Sequence, residues 1–402
     1  MNSPDVRRLL WVRGLRAFGD GYVSLLLPVY LLSLGLSPFD VGVITTGTLI
    51  GSGALTLAVG LHAYRYRYRT LLLAATALMI ATGLGFATVT QFWPLLVVAF
   101  VGTLNPSSGD VSVFLPLEQA VLARIVPDGE RTAVFARYSL AGALVGAAGA
   151  LFAGFPELLA HTFDTSMQSA MQAMFALYAL IGVASALIYR RLPAALASEN
   201  DALAAPLLQS KRIVYLLAAL FSLDAFGGGF IVQSMLALWL FEKFQLSTAV
   251  AGTIFFWTGV LTAFSYLVAV RIANRIGLIN TMVFTHLPSS LLLMMMPFVP
   301  DLGWVIVLLL VRSALSQMDV PTRSSYVMAV VSPGERAAAA SITSVPRSLA
   351  SATSPLLAGW MLGVSSFGWP LAIGGALKIV YDLLLLATCR TVRPPEERRP
   401  GR

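Results

Sequence analysis

Residues 127–154 read PDGERTAVFARYSLAGALVGAAGALFAG, and residues 332–359 read SPGERAAAASITSVPRSLASATSPLLAG. An ungapped shift of 205 positions lays Gly129-Glu130-Arg131 on Gly334-Glu335-Arg336 and Leu151-Phe152-Ala153-Gly154 on Leu356-Leu357-Ala358-Gly359. The same shift carries Pro116 to Pro321. A shift of 210 aligns Leu36-Ser37 with Leu246-Ser247, Gly42 with Gly252 and Ala63-x-Arg65 with Ala273-x-Arg275. Loop insertions leave this kind of drifting register, so the chain reads as two copies of one unit.

The unit is built for a bilayer. Charged residues are 11% of the 402 positions and the AVILMFWYC set is 57%, whereas a soluble chain carries roughly 25% charge. A span needs about 20 mainly apolar residues. Such stretches fall at 11–34, 40–62, 70–91, 93–125, 131–154, 171–190, 212–241, 247–271, 278–298, 302–330, 336–362 and 368–389. The fourth, seventh and tenth are long, which predicts tilt or extension beyond the hydrocarbon. Continuous apolar runs exclude a β-barrel, whose strands alternate over about ten residues. They are also too apolar all round for surface helices. The basic N-terminus MNSPDVRRLL looks like the start of a signal peptide, but the apolar run after it is too long and lacks a cleavage site, so it reads as an uncleaved first span.

The expected fold is therefore an all-α polytopic membrane protein: twelve transmembrane helices in two six-helix bundles related by a parallel pseudo-two-fold repeat. The bundles are residues 1–190 and 212–390, joined by a linker at 191–211 and followed by a basic tail at 391–402. In parallel repeats the substrate path runs between the halves near the midplane.

Basic residues fix the orientation. Connections on the side of the termini hold Arg7, Arg8, Arg65, Arg67, Arg69, Arg124, Arg131, Arg190, Arg191, Lys211, Arg212, Arg271, Arg275, Arg336, Arg390, Arg393, Arg398, Arg399 and Arg402, while the opposite connections hold only Lys243. The positive-inside rule then places both termini in the cytoplasm, and a bacterial inner membrane is the expected location. A net charge of +8 dispersed in short clusters forms no basic stripe, so no nucleic-acid partner is expected. The lone Cys389 excludes a disulfide framework and a cysteine metal site. Ser37-Pro38-Phe39-Asp40 and Ser332-Pro333-Gly334-Glu335 read as capping boxes with proline at the first helical position.

Charges inside spans are the candidate functional residues, because each costs about 2.5–3.5 kcal/mol at the bilayer centre on insertion scales. Asp20 lies near the middle of span 1 and Asp224 near the middle of span 7, a register of 204; Asp110 is in span 4 and Arg312 in span 10. None has a partner at matched depth in its own hairpin. An unpaired carboxylate in a low-dielectric interior favours its neutral form, which suits reversible protonation. Asp20, Asp110, Asp224 and Arg312 are thus candidates to bind substrate or couple protons, with Asn105 and Gln233 adding hydrogen bonds; the plainer reading of each is an ion pair with a partner elsewhere in the fold. Counting from each hairpin turn at 1.5 Å per residue pairs Asp319 with Arg347 and Glu118 with Arg137, as gating or structural ion pairs. Lys378 and Asp382, four apart on span 12, are expected to pair with each other. Phe226-Gly227-Gly228-Gly229-Phe230 predicts a pliable span 7, and His286 in span 9 is expected to be an ordinary hydrogen-bonded histidine rather than a proton relay.

Twelve spans, the six-plus-six repeat and a short basic central loop resemble the major facilitator superfamily over essentially the whole chain. Its loop motif between spans 2 and 3, G-x-L-a-D-r-x-G-r-r, has a degenerate copy here that keeps Gly60, Ala63, Arg65 and Arg69 but has Tyr64 at the acidic position and Arg67 at the second glycine. The copy between spans 8 and 9 is better, with Ala273, Asn274, Arg275 and Gly277. The resemblance implies a latch at these loops, which the missing acid weakens in the first half; Arg65 and Arg67 remain suited to anionic lipid. Gly142-x-x-x-Gly146-Ala147-Ala148-Gly149 in span 5 resembles part of the drug–proton antiporter motif without its proline, and close helix packing is the plainer reading. Gly47-x-x-x-Gly51 in span 2 reads the same way.

The expected function is secondary active transport of a small solute by alternating access: proton-coupled efflux of amphipathic or hydrophobic compounds by a monomer in contact with membrane lipids. An importer or exchanger of organic anions using Arg312 and Arg347 is the alternative. A membrane-embedded enzyme and a non-transporting sensor are more remote. No H-E-x-x-H, paired aspartates, zinc spacing or phosphate-binding G-x-x-x-x-G-K-[ST] loop is present, so no catalytic residue, metal or cofactor is expected.

Overall fold

The computed structural model describes residues 4–62, 66–107, 112–193, 209–332 and 335–389, and every described element is a helix. In order these are α1 (Pro4–Ser33), α2 (Pro38–His62), α3 (Tyr68–Thr88), α4 (Phe92–Val101), α5 (Phe114–Ile125), α6 (Asp128–Leu151), α7 (Phe155–Phe163) and α8 (Met167–Tyr189). There follow α9 (Lys211–Gly229), α10 (Gln233–Phe244), α11 (Thr248–Ile276), α12 (Leu278–Met295), α13 (Leu302–Leu315), α14 (Asp319–Val330), α15 (Arg336–Val364) and α16 (Trp369–Cys389). Nine helical segments among the described residues are long and apolar enough to cross a membrane, with α9 and α10 counted as one. The fourth and tenth spans are each split, into α4 with α5 and α13 with α14. The eleventh, α15, is long but rich in serine and threonine. Twelve spans result.

Spans 4, 7 and 10, the long ones, are each broken into two helices. In span 4, Pro106 lacks an N–H within the non-helical stretch after α4. Span 7 breaks just after Gly227-Gly228-Gly229, where each glycine costs about 1 kcal/mol of helix propensity. Broken backbone inside a membrane must find new partners. Here the Ser354 hydroxyl donates to the Phe226 carbonyl at 2.6 Å, and the Ser234 N–H donates to the Pro106 carbonyl at 3.1 Å. Span 5 runs beyond its expected end, from α6 through one 3-10 turn into α7.

The chain forms two compact units: residues 1–200 with 232–259, and residues 201–231 with 260–402. The expected bundle boundary rests on the sequence repeat, and residues 194–208 lie outside the described residues. The repeat is visible in packing within each unit. Span 1 packs on span 5 and span 3 on span 6 in the first; span 7 packs on span 11 and span 9 on span 12 in the second.

Small residues set those crossings, as expected where lipid removes the hydrophobic drive between helices. A Cβ on Gly21 would strike the Gly146 carbonyl, one on Gly149 the Phe18 carbonyl, and one on Gly142 the Arg13 guanidinium. Gly51 meets the Phe100 carbonyl in the same way. Both glycine patterns are therefore packing seams. Gly277 has φ +90° and joins α11 to α12, its N–H closing on the Ala273 carbonyl at 2.9 Å. A side chain there would be strained.

The capping box at Ser37 forms: Ser37 N–H donates to Asp40 Oδ2 at 2.8 Å and Asp40 N–H to Ser37 Oγ at 3.2 Å. Such a cap is worth about 1 kcal/mol. Glu335 does a different job from the one expected. Its carboxylate accepts the Gln209 and Ser210 N–H groups at 2.7 and 3.0 Å, just before α9. Pro333 lies outside the described residues.

Candidate functional site: two buried ion clusters

The first cluster sits in the first unit, where span 1 meets spans 4, 5 and 6. Glu118 on α5 is fully buried and receives Arg16 of α1 together with the hydroxyls of Tyr138 on α6 and Tyr189 on α8. The Arg16 guanidinium also lies 4.1 Å above the Phe114 ring. A carboxylate with three charge-assisted or hydroxyl donors is saturated, and that saturation offsets its desolvation. Glu118 thus pairs with Arg16, and Arg137 is exposed, contrary to the depth-matched pairing. The hairpin count compared only neighbouring spans, whereas the true partner is 102 residues away.

One turn further along α1, Asp20 is buried and is hydrogen-bonded by the Asn105 side chain and by Tyr178, whose hydroxyl is 3.5 Å from Oδ1. Tyr178 also donates to the Thr103 carbonyl at 3.1 Å. Asp20 is within electrostatic reach of Arg16 and Arg13, both on its own helix. Arg13 lies 5.2 Å over the Tyr138 ring, in the space left by Gly142. Gln233 donates to Ser24 Oγ at 2.9 Å. Asp110 lies outside the described residues.

The second cluster belongs to the second unit and has more members. Asp224 on α9 receives Lys378 Nζ of α16 on Oδ1 at 2.7 Å and Arg323 Nη1 of α14 on Oδ2 at 3.3 Å. His286 on α12 faces the same Oδ1 with Nε2 at 3.6 Å. Its other nitrogen, Nδ1, lies 3.0 Å from both oxygens of Asp382 on α16. Arg323 also pairs with Asp319, one turn back on α14. All six side chains are buried. Asp224 thus has its ion-pair partners elsewhere in the fold, the plainer of its two readings. Two pairings are corrected: Asp319 pairs with Arg323 rather than Arg347, and Lys378 and Asp382, although on one helix, turn to Asp224 and His286 respectively.

Two guanidiniums stand apart. Arg347 on α15 is exposed and makes no ion pair among the described residues, yet is within electrostatic reach of Arg323, Asp224 and Asp319. Arg312 on α13 is half-buried, and its Nε has no hydrogen-bond partner. At the loop motifs, Arg69 donates to the Leu192 carbonyl at 3.4 Å and Arg275 is exposed in the last turn of α11. Gly60 and Asn274 are helical, and Arg65 lies outside the described residues. Among the described residues no group of three His, Cys, Asp or Glu side chains is arranged to hold a metal ion.

Sequence reasoning missed Arg13, Arg16 and Arg323 and undervalued His286. A signal existed for two of them. Arg16 is four before Asp20 and Arg323 four after Asp319, the spacing that puts two side chains on one helix face.

Twelve helical spans, repeated packing and ion clusters buried between the helices define a multi-pass membrane protein of transporter architecture. The chain belongs to the Major Facilitator Superfamily, whose family model matches residues 9–229 and again 217–402. It is 24% identical over 421 residues to an uncharacterized membrane protein of Saccharomyces cerevisiae, YJR124C, covering 95% of this chain and 93% of the relative. Among solved structures it resembles the nucleoside transporter NupG, with TM-score 0.73 at 13% identity over 96% of this chain and 99% of that one. It also resembles a D-xylose-proton symporter, with TM-score 0.71 at 15% identity over 94% and 96%. Members of this family are transporters, and secondary transport of a small molecule is the function the family carries.

Proposed function

We propose that the chain is a proton-coupled secondary transporter working by alternating access, with Asp224 at the coupling centre. One observation carries the reading. The buried second cluster holds three carboxylates, Asp224, Asp319 and Asp382, against two fixed cations, Arg323 and Lys378, with the His286 imidazole between two of the acids. In ordinary charge states the set is one negative charge in excess, and one bound proton balances it. Unbalanced charge in a low-dielectric interior is costly, so proton occupancy favours one arrangement of these helices over another. Asp20 and Asp110 are the other candidate proton groups.

In this reading the protein is a monomer of the bacterial inner membrane with cytoplasmic termini, as its arginine-rich connections suggest. It exports small amphipathic or hydrophobic compounds, a direction supported only by the partial span 5 motif, whose glycines also serve packing. A second reading, transport of organic anions, draws support from Arg347, exposed and without an ion pair among the described residues, and from Arg312, whose Nε has no hydrogen-bond partner among them.

A thermal-shift screen finds the cargo, and proteoliposomes loaded with it test the coupling. Asp224→Asn is expected to abolish acceleration by an imposed pH gradient. A variant that responds to the gradient as wild type does would end the proposal. Undiminished uptake of an anionic cargo by Arg347→Ala with Arg312→Ala would end the second reading.

A further inference from the structure

We infer that the proton is received by His286, at Nε2, and that Asp382 is the positioning residue that keeps this nitrogen free for it. The inference rests on the coupling proposed above and names its site.

Nδ1 of His286 is 3.0 Å from both oxygens of Asp382, a contact that a carboxylate makes with an N–H donor. Nδ1 therefore carries the hydrogen of the neutral ring, and the lone pair of Nε2 faces Asp224 Oδ1 at 3.6 Å. Two acceptors facing one another at that distance repel. A proton arriving from the aqueous phase bonds to the Nε2 lone pair, no other bond breaks, and the ring becomes an imidazolium with N–H groups toward both acids. The 3.6 Å contact then becomes an attraction. It acts on the same Oδ1 that Lys378 Nζ holds at 2.7 Å, so protonation sets His286 on span 9 in competition with Lys378 on span 12 for span 7.

The other groups around the ring fit this assignment. From α16 come Asp382, Lys378 and Tyr381, whose ring stands edge-on to the imidazole at 5.9 Å. From α9 comes Asp224. From α14 come Arg323, reached through Asp224, and Asp319 behind it. The remaining packed helix, α13, carries Arg312. Among the described residues the Tyr381 hydroxyl is buried without a hydrogen-bond partner. Histidine is the side chain whose charge changes nearest to physiological pH.

The test uses full-length protein in lipid nanodiscs with ¹⁵N-labelled histidine. The chain has three histidines, so His62→Asn and His161→Asn assign the third signal without touching the cluster. As the pH is lowered, His286 is expected to pass from the neutral form protonated at Nδ1 to the imidazolium. Asp382→Asn is expected to abolish the Nδ1–H preference. Amide hydrogen exchange in α9, α12 and α16 is expected to change with pH in wild type, and His286→Gln is expected to lose that change. A His286 that stays in one form throughout, or is protonated at Nε2 when neutral, overturns the inference. So does a pH response kept intact by His286→Gln. Failure of the broader reading looks different: His286 titrates, yet transport in proteoliposomes ignores the pH gradient.

Discussion

In the first half a cation on span 1, Arg16, meets an anion on span 4, Glu118; in the second half the anion is on span 7, Asp224, and the cation on span 10, Arg323. Glu118 and Arg323 are 205 positions apart, the repeat distance, and Asp20 and Asp224 are 204 apart. The same shift carries Arg13 to Ala218 and Gly142 to Arg347. Where Arg13 of span 1 fills the space over Gly142 of span 5, span 11 carries its own guanidinium. Duplication has kept the sites of buried charge and exchanged the helices that supply it. The consequence is functional. The first cluster closes on itself with two tyrosines and one ion pair, while the second includes an imidazole that faces the same carboxylate oxygen as Lys378.

Breaking the closed cluster is expected to have the largest effect. Glu118→Ala leaves the Arg16 charge buried and unpaired, a loss of about 3–5 kcal/mol. Thermal unfolding in detergent should show a variant that is barely folded at room temperature, and an unchanged midpoint would show that Glu118 is not the anchor of this half. Asp224→Asn should cost less, about 1–3 kcal/mol, because an amide still accepts from Lys378 and Asp319 still holds Arg323. Its main effect should be on proton dependence of transport. Gly142→Ala sets a methyl against the Arg13 guanidinium, and an overpacking cost of about 1–3 kcal/mol is expected. Arg347→Ala, on an exposed side chain without an ion pair among the described residues, should change stability by no more than about 0.5 kcal/mol. A larger loss would mean that span 11 takes part in the second cluster.

The architecture was legible because apolar length and arginine asymmetry are additive along a chain. The breaks in spans 4, 7 and 10 were not, since hydropathy counts apolar residues and is blind to where backbone bonds stop. Only Gly227-Gly228-Gly229 announced its break. Among site residues, the mid-span acids Asp20 and Asp224 could be picked out because charge is rare there. Their partners could not, because depth counted within one hairpin sees two helices, whereas Asp224 is met from three others. Lys378 and Asp382 show the limit of the i, i+4 rule: correct spacing allows a pair, but stronger partners on α9 and α12 take both.

The most direct test compares Asp224→Asn with Asp20→Asn in proteoliposomes carrying a pH-reporting dye, with cargo from the thermal-shift screen. The account predicts that cargo-driven proton movement disappears in Asp224→Asn and persists in Asp20→Asn, whose carboxylate is bonded to Asn105 and Tyr178 and faces no histidine. Wild-type proton movement in Asp224→Asn would contradict it.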